Sequence, residues 1–151
     1  MSVGRKYALS VGVTNTVSVT QVTLIATSAI RPSLYDLLIS SAAAPADNAA
    51  NYQVKRFTAA GTTTALTPQA LDEGDPAATA TAGSNATVEP TYTANAILLN
   101  LSANQRTTAR WLARDGGELV APATAANGLG LFVSAVGGSS VATQYTAHYA
   151  E

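Results

Sequence analysis

Period-two alternation of apolar and polar positions, punctuated by Gly, Pro, Asn and Asp, runs along almost the whole chain and predicts strands. Lys6–Val13 is a short β-prone run that ends near Asn15. Val17–Ile25 begins by alternating Val17, Val19 and Gln21 against Ser18 and Thr20, then shifts to Val22, Leu24 and Ala26. A change of parity inside one strand predicts a bulge or break. Leu34–Ser40, following Pro32, is continuously apolar except for Asp36. It reads as a strand covered on both faces, in which Asp36 needs a partner. Asn51–Thr58 is a further strand, with Tyr52, Val54 and Arg56 on one face and Gln53, Lys55 and Phe57 on the other. Its mixed faces predict an edge or interface position.

Ser41–Asn51, with Pro45 and Asp47-Asn48, reads as a loop, and the threonine-rich Gly61–Pro68 as a half-wet strand. Between Pro68 and Pro90 the alternation fades, and Leu71–Pro90 is expected to form a long irregular loop or arm. Order resumes with Ala96–Leu101, Thr107–Leu112 and Glu118–Ala121, the last two separated by the turn Arg114–Gly117. Leu129–Val136 and Val141–Tyr149 flank Gly137–Ser140, the strongest hairpin signal in the chain. No segment carries a convincing helix of ten residues. Eight or nine strands in one domain spanning 1–151 predict an all-β fold: an antiparallel two-sheet β-sandwich, jelly-roll-like, with an N-terminal arm at 1–7 and an extended loop at 71–90.

Composition narrows the chemistry. The 151 residues contain no cysteine, which excludes disulfides, thiol catalysis and cysteine-ligated metals. Charged residues make up only 11%, and eight basic against nine acidic side chains leave a net charge of −1. Too few cations are present for a phosphate-neutralising patch, so no nucleic-acid partner is expected. No apolar run is long enough for a membrane span, so no membrane partner is expected either. Alanine (31) and threonine (20) account for about a third of the chain, and lysine occurs only at Lys6 and Lys55. Flat surfaces of small side chains lose little entropy on contact, and lysine depletion is typical of buried interfaces. Self-association is the natural expectation.

Candidate catalytic chemistry is thin. His148 is the single histidine, and a nucleophile–base pair or a metal site needs more than it supplies. Asp72, Glu73 and Asp75 around Gly74 form the one acidic cluster, a solvated turn or a calcium site. Gly128-Leu129-Gly130 lacks the spacing of a nucleotide-binding loop. No catalytic residue, cofactor or metal site is therefore predicted. Arg106, Arg110 and Arg114 recur around Trp111; on a strand, Arg106 and Arg110 share the face opposite Trp111 and would make charge-assisted contacts to a partner. Together with Arg5, Lys6, Tyr7, Asp72, Glu73 and Asp75 they are the interface candidates.

The stretches Arg31–Gly83, Glu89–Trp111 and Gly116–Phe132 resemble small head proteins of tailed bacteriophages. The resemblance implies a capsid decoration (cement or auxiliary) protein: a non-enzymatic, β-rich homotrimer on the outer surface of the phage head. It would bind major capsid protein at three-fold and quasi-three-fold sites and stabilise the virion, with 1–7 and 71–90 as contact segments. Other readings of the same residues are a tail-tube, head-completion or fibre-base protein, and a carbohydrate-binding sandwich that stacks sugars on Tyr35, Tyr52, Tyr92, Tyr145, Tyr149 and Trp111.

Overall fold

A computed structural model describes residues 4–138 and 140–151. Within them the chain forms twelve strands and no helix: β1 Lys6–Thr14, β2 Val19–Ile25, β3 Ser33–Ser41, β4 Ala49–Ala59, β5 Thr62–Leu66, β6 Gln69–Ala70, β7 Thr81–Val88, β8 Thr91–Asn104, β9 Ala109–Leu112, β10 Leu119–Val120, β11 Gly128–Val136 and β12 Ala142–Ala150. They build two antiparallel sheets. The first is ordered β10-β3-β12-β1-β6, with β9 also on β3; the second is β5-β7-β2-β11-β4-β8. The fold is an antiparallel two-sheet β-sandwich.

The parity change in β2 is a bulge. Phe132 pairs with Thr20 and Leu131 with Val22, so Gln21 has no cross-strand partner. Thr20 to Leu24 are all buried as a result. Gln21 donates from Nε2 to the Val19 carbonyl at 3.1 Å, while its buried Oε1 has no hydrogen-bond partner. A second irregularity, near Lys55, lies in the pairing of β4 with β8, while the register of β4 against β11 runs unbroken from Tyr52 to Phe57. The expected faces of β4 hold. Tyr52 and Val54 are in the core, and Arg56 on their side reaches Val120 O of the first sheet at 3.2 Å. Phe57 is buried on the other face with Lys55, its ring edge to face with Tyr92 at 6.3 Å. Strand β4 is interior, between β11 and β8, and not an edge.

Two longer-range expectations change. Leu129–Val136 and Val141–Tyr149 do not form a hairpin: β11 pairs with β2 and β4, while β12 pairs with β1 and β3. The connection is an arch between sheets, held where Gly137 N donates to Ala49 O at 2.8 Å (Ser139 lies outside the described residues). Glycine-rich spacing signals a reversal, and does not say whether the second strand returns to the same sheet. The stretch 71–90 is not one irregular loop, because its second half is β7, hydrogen-bonded between β5 and β2. Gly83 looks like a turn residue, but a Cβ there would lie 1.9 Å from Thr63 Oγ1, so glycine is what lets β5 and β7 close. The N-terminal arm is likewise shorter than expected. Lys6 and Tyr7 begin β1, with Tyr7 only 1% exposed, and residues 1–3 lie outside the described residues.

Strands β9 and β10 are two pieces of one edge. Both pair with β3, and Ala113 N donates to Tyr35 O between them at 2.8 Å. The Arg114–Gly117 turn, closed by Gly117 N to Arg114 O at 2.8 Å with Gly116 at φ 75°, is an excursion from that edge.

The core is aliphatic in its middle, where Leu9, Val22, Leu37, Val54 and Leu131 meet, and aromatic toward its ends. Asn15, fully buried just beyond β1, links the sheets. Its Nδ2 donates to Tyr52 Oη of the second sheet at 3.1 Å, and Tyr145 of the first sheet donates to its Oδ1. The two rings meet edge to face with centroids 6.2 Å apart. Asn15→Ala leaves two tyrosyl hydroxyls without partners, so it should lower unfolding free energy by about 3 kcal/mol. Urea denaturation measures this; a loss under about 1 kcal/mol would show that the link does not hold the sheets.

Candidate functional site

The polar demand placed on β3 is met on the outer face of the first sheet. Asp36 is 3% exposed and pairs across the ladder with His148. Arg110, from β9, donates to both of its oxygens: Nε to Oδ1 at 3.0 Å and Nη2 to Oδ2 at 2.8 Å. His148 Nδ1 lies 3.3 Å from Oδ2. The Arg110 guanidinium, aided by His148, holds the Asp36 carboxyl below the ordinary carboxylate range in spite of its burial. Arg110 is half in solvent, so the fork is a lid over the carboxylate and not a deeply buried ion pair.

This cluster stands at one corner of a mostly uncharged face. Three rungs cross β3, β12 and β1: Asp36, His148 and Ala8; Leu38, Thr146 and Ser10; Ser40, Gln144 and Gly12. Gln144 lies so close over Gly12 that a Cβ there would meet Nε2 at 2.6 Å. Ser10 Oγ and Thr146 Oγ1 are 3.3 Å apart, and Leu112, across the ladder from Asp36, is 60% exposed. The face is built from short side chains fixed against each other, with its one carboxylate already neutralised. Such a surface suits contact with a broad partner, because little side-chain freedom is lost there.

The interface candidates fall into three places. Arg5, Lys6 and Tyr7 lie where β1 begins, and the acidic turn docks beside them: Leu71 N donates to Lys6 O at 2.9 Å, and Tyr7 Oη to Pro76 O at 3.1 Å. Burial, with the Glu151 and Asp75 charges adding to it, raises the Tyr7 hydroxyl above its ordinary value. Tyr7 is thus a core residue, and its side chain is not available to a partner. Asp72 uses its carboxylate locally, accepting from Gly74 N at 2.9 Å, while Glu73 is exposed and Asp75 half-buried. Among the described residues no three carboxylate or histidine groups are placed to hold a metal ion. Arg106 sits at the opposite end, in the turn before β9, 3.8 Å from Asp47. It therefore does not share the β9 face with Arg110. Arg114 is exposed on the excursion between β9 and β10. Trp111 points inward from β9, opposite Arg110, and packs half-buried against the core.

Sequence reasoning missed a second polar cluster, on the outer face of the second sheet. Glu89 accepts from Thr20 N at 2.8 Å and from the Thr20 hydroxyl, whose Oγ1 lies 2.5 Å from Tyr92 Oη. Lys55 Nζ stands 4.1 Å above the Tyr92 ring and 4.4 Å from that of Phe132. Burial pushes the Tyr92 hydroxyl well above its ordinary value. The residues are far apart in sequence, and only the pairing of β4 with β8 and β11 brings them together. The signal that was available is a lone lysine between aromatic strands. The C-terminal Glu151 was missed for the same reason: it accepts from Thr79 N at 3.0 Å and fastens 71–80 to the sandwich.

Comparison with protein-family models, curated proteins and solved structures finds no match to this chain.

The Asp36 cluster gives a signed pH dependence. A carboxyl whose folded value is depressed contributes stability above its unfolded value of about 3.9, and loses it as pH falls through the folded value. Arg110→Ala should therefore be less stable than wild type near pH 7, with the difference shrinking toward about pH 2 as Asp36 is protonated in both proteins. Urea midpoints across that range test it; a gap that stays constant with pH would show that the fork does not act through the Asp36 charge.

Proposed function

We propose that this chain is a capsid decoration protein of a tailed bacteriophage, a homotrimer that binds major capsid protein on the outer surface of the head at three-fold and quasi-three-fold sites. The observation that carries the reading is the rung surface of the first sheet, with the short or uncharged side chains Ala8, Ser10, Leu38, Ser40 and Thr146 at its centre and the Asp36 carboxylate beside them paired with Arg110. It offers shape rather than reactive groups. The carboxylates of Asp36, Glu89 and Glu151 are each taken up in hydrogen bonds that tie strands or loops together, which fits a structural role without catalysis.

The jelly-roll reading of the fold has support of the same kind. Successive strands β1, β2, β3 and β4, and later β9/β10, β11 and β12, alternate between the sheets. If β5, β6 and β7 are set aside as an insertion between β4 and β8, each sheet keeps four strands in the interleaved order of a doubled Greek key.

Mechanically, a ligand confined to the expanded shell stabilises it by RT ln(1 + [L]/Kd) per site, about 2.7 kcal/mol at a hundred times Kd. Repetition over the lattice makes modest affinity sufficient. A tail-tube, head-completion or fibre-base role is separated from this one by copy number. The carbohydrate reading draws less support, because Tyr52, Tyr145 and Tyr149 are core residues and cannot form an exposed stacking platform.

The test is co-sedimentation of the purified protein with expanded heads of the phage that encodes it. Binding should saturate in proportion to the major capsid subunit. Ser10→Glu, an exposed change in the middle of the rung face, should keep the fold and weaken binding at least about tenfold. Absence of binding, or a copy number far below that of the shell subunit, would overturn the reading.

A further inference from the structure

The sandwich has four sheet edges, and two of them are guarded along their length. Strand β5 has five residues, and the β9/β10 edge is interrupted by the Arg114–Gly117 excursion and carries Arg110, while β6 covers β1 only at Tyr7 and Ala8 and leaves Leu9–Thr14, with Gly12 inside it, as a second open stretch. Short, broken or charged edges resist further pairing. Strand β8 has none of these protections. Its regular stretch Leu99–Asn104 contains no charged residue, no proline and no glycine, and it pairs only with β4. Its inward residues Leu99 and Leu101 lie opposite the buried Val54 and Tyr52, yet both are only half-buried, because no strand follows. Ile97 is 46% exposed. On the outer face a polar ladder crosses the sheet and stops at this edge. Ser134 donates to Asn51 Oδ1, and Asn51 Nδ2 donates to Asn100 Oδ1 and Ser102 Oγ, each at 2.8 Å.

We propose that the free edge of β8 is a self-association site at which it pairs antiparallel, about a two-fold axis, with β8 of a second copy. An edge occupant must be an extended strand that presents matching backbone groups. The β8 of another copy matches the length of the stretch, whereas the β5 edge offers only five residues. It also brings no like charge against the stretch, and a chain of net charge −1 meets little long-range repulsion from its own kind. The Asn100 and Ser102 side chains of the two copies would continue one ladder, and the half-buried leucines would be covered from both sides. A two-fold contact is isologous and so is separate from any trimer contact. The inference rests on the edge alone and not on the decoration reading.

The experiment measures mass by light scattering across a concentration series, for wild type and for the double variant Asn100→Lys/Ser102→Lys. This variant puts like charges at the middle of the paired edges. Wild type should form species containing pairs of chains, and the variant should raise the dissociation constant of that pairing at least about tenfold with its urea midpoint little changed. If the variant unfolds, amide hydrogen exchange of wild type decides instead: the β8 amides turned away from β4 should pass from fast to slow exchange as concentration rises. A wild type that stays monomeric, an assembly in odd numbers only that the variant leaves intact, or β8 amides that exchange fast at every concentration would each overturn the proposal. Head binding that fails while pairing persists would count against the decoration reading alone.

Discussion

A tyrosine hydroxyl buried in a dry core costs free energy unless it finds a hydrogen-bond partner, and three of the four tyrosines in this core find one in a distant segment, the Tyr149 hydroxyl being the exception. A chain in which alanine and threonine supply a third of the residues has few large aliphatic side chains with which to fill a sandwich. Tyrosines take their place: Tyr7, Tyr52, Tyr145 and Tyr149 are all nearly inaccessible. Each bonded hydroxyl then recruits a distant segment. Tyr52 and Tyr145 hold Asn15, and with it the β1–β2 connection. Tyr7 holds Pro76 and the loop beyond β6. Tyr92, at the rim, meets Thr20, which in turn holds Glu89. Loops that sequence leaves loose are tied to the core by these rings, as Glu151 ties residues 79 and 80.

Local order was legible where it rests on alternation. The strands around Lys6–Val13, Leu34–Ser40 and Val141–Tyr149 lie close to where their patterns place them, and the parity change near Gln21 is a real bulge. The demand that Asp36 find a partner was legible too, because a carboxylate in an apolar strand has no other stable outcome. The partners were not: Arg110 was legible as a candidate for contact with another protein, and its fork is spent within the chain. What failed was information that lives between elements. Gly83-Ser84-Asn85 carries the residues of a turn, but its glycine answers to Thr63 on a neighbouring strand. The arch from β11 to β12 uses the same local chemistry as a hairpin, and only the competing partners β2, β4, β1 and β3 decide between them. The faces of β4 were legible from alternation, whereas the bulge near Lys55 in its pairing with β8 has no signature in β4 alone.

The outward surfaces divide the work in the proposed reading. The rung face of the first sheet carries short side chains and little charge, which suits a broad contact repeated many times. The β8 edge presents backbone groups, which suits one strand of matching length. Both use geometry already fixed by the core, and neither needs a titratable group to change state. The Asp36 fork sits between edge and face and keeps a buried carboxylate from disturbing either.

The central claim is that this sandwich acts by lying against a larger shell. An electron cryo-microscopy map of the virion that carries it tests that claim most directly. The account predicts density for the twelve-stranded sandwich on the outside of the head, grouped about three-fold and quasi-three-fold positions, with the first sheet's outer face toward the capsid. Density confined to the tail or neck, or a head whose outer surface lacks this chain, would contradict it.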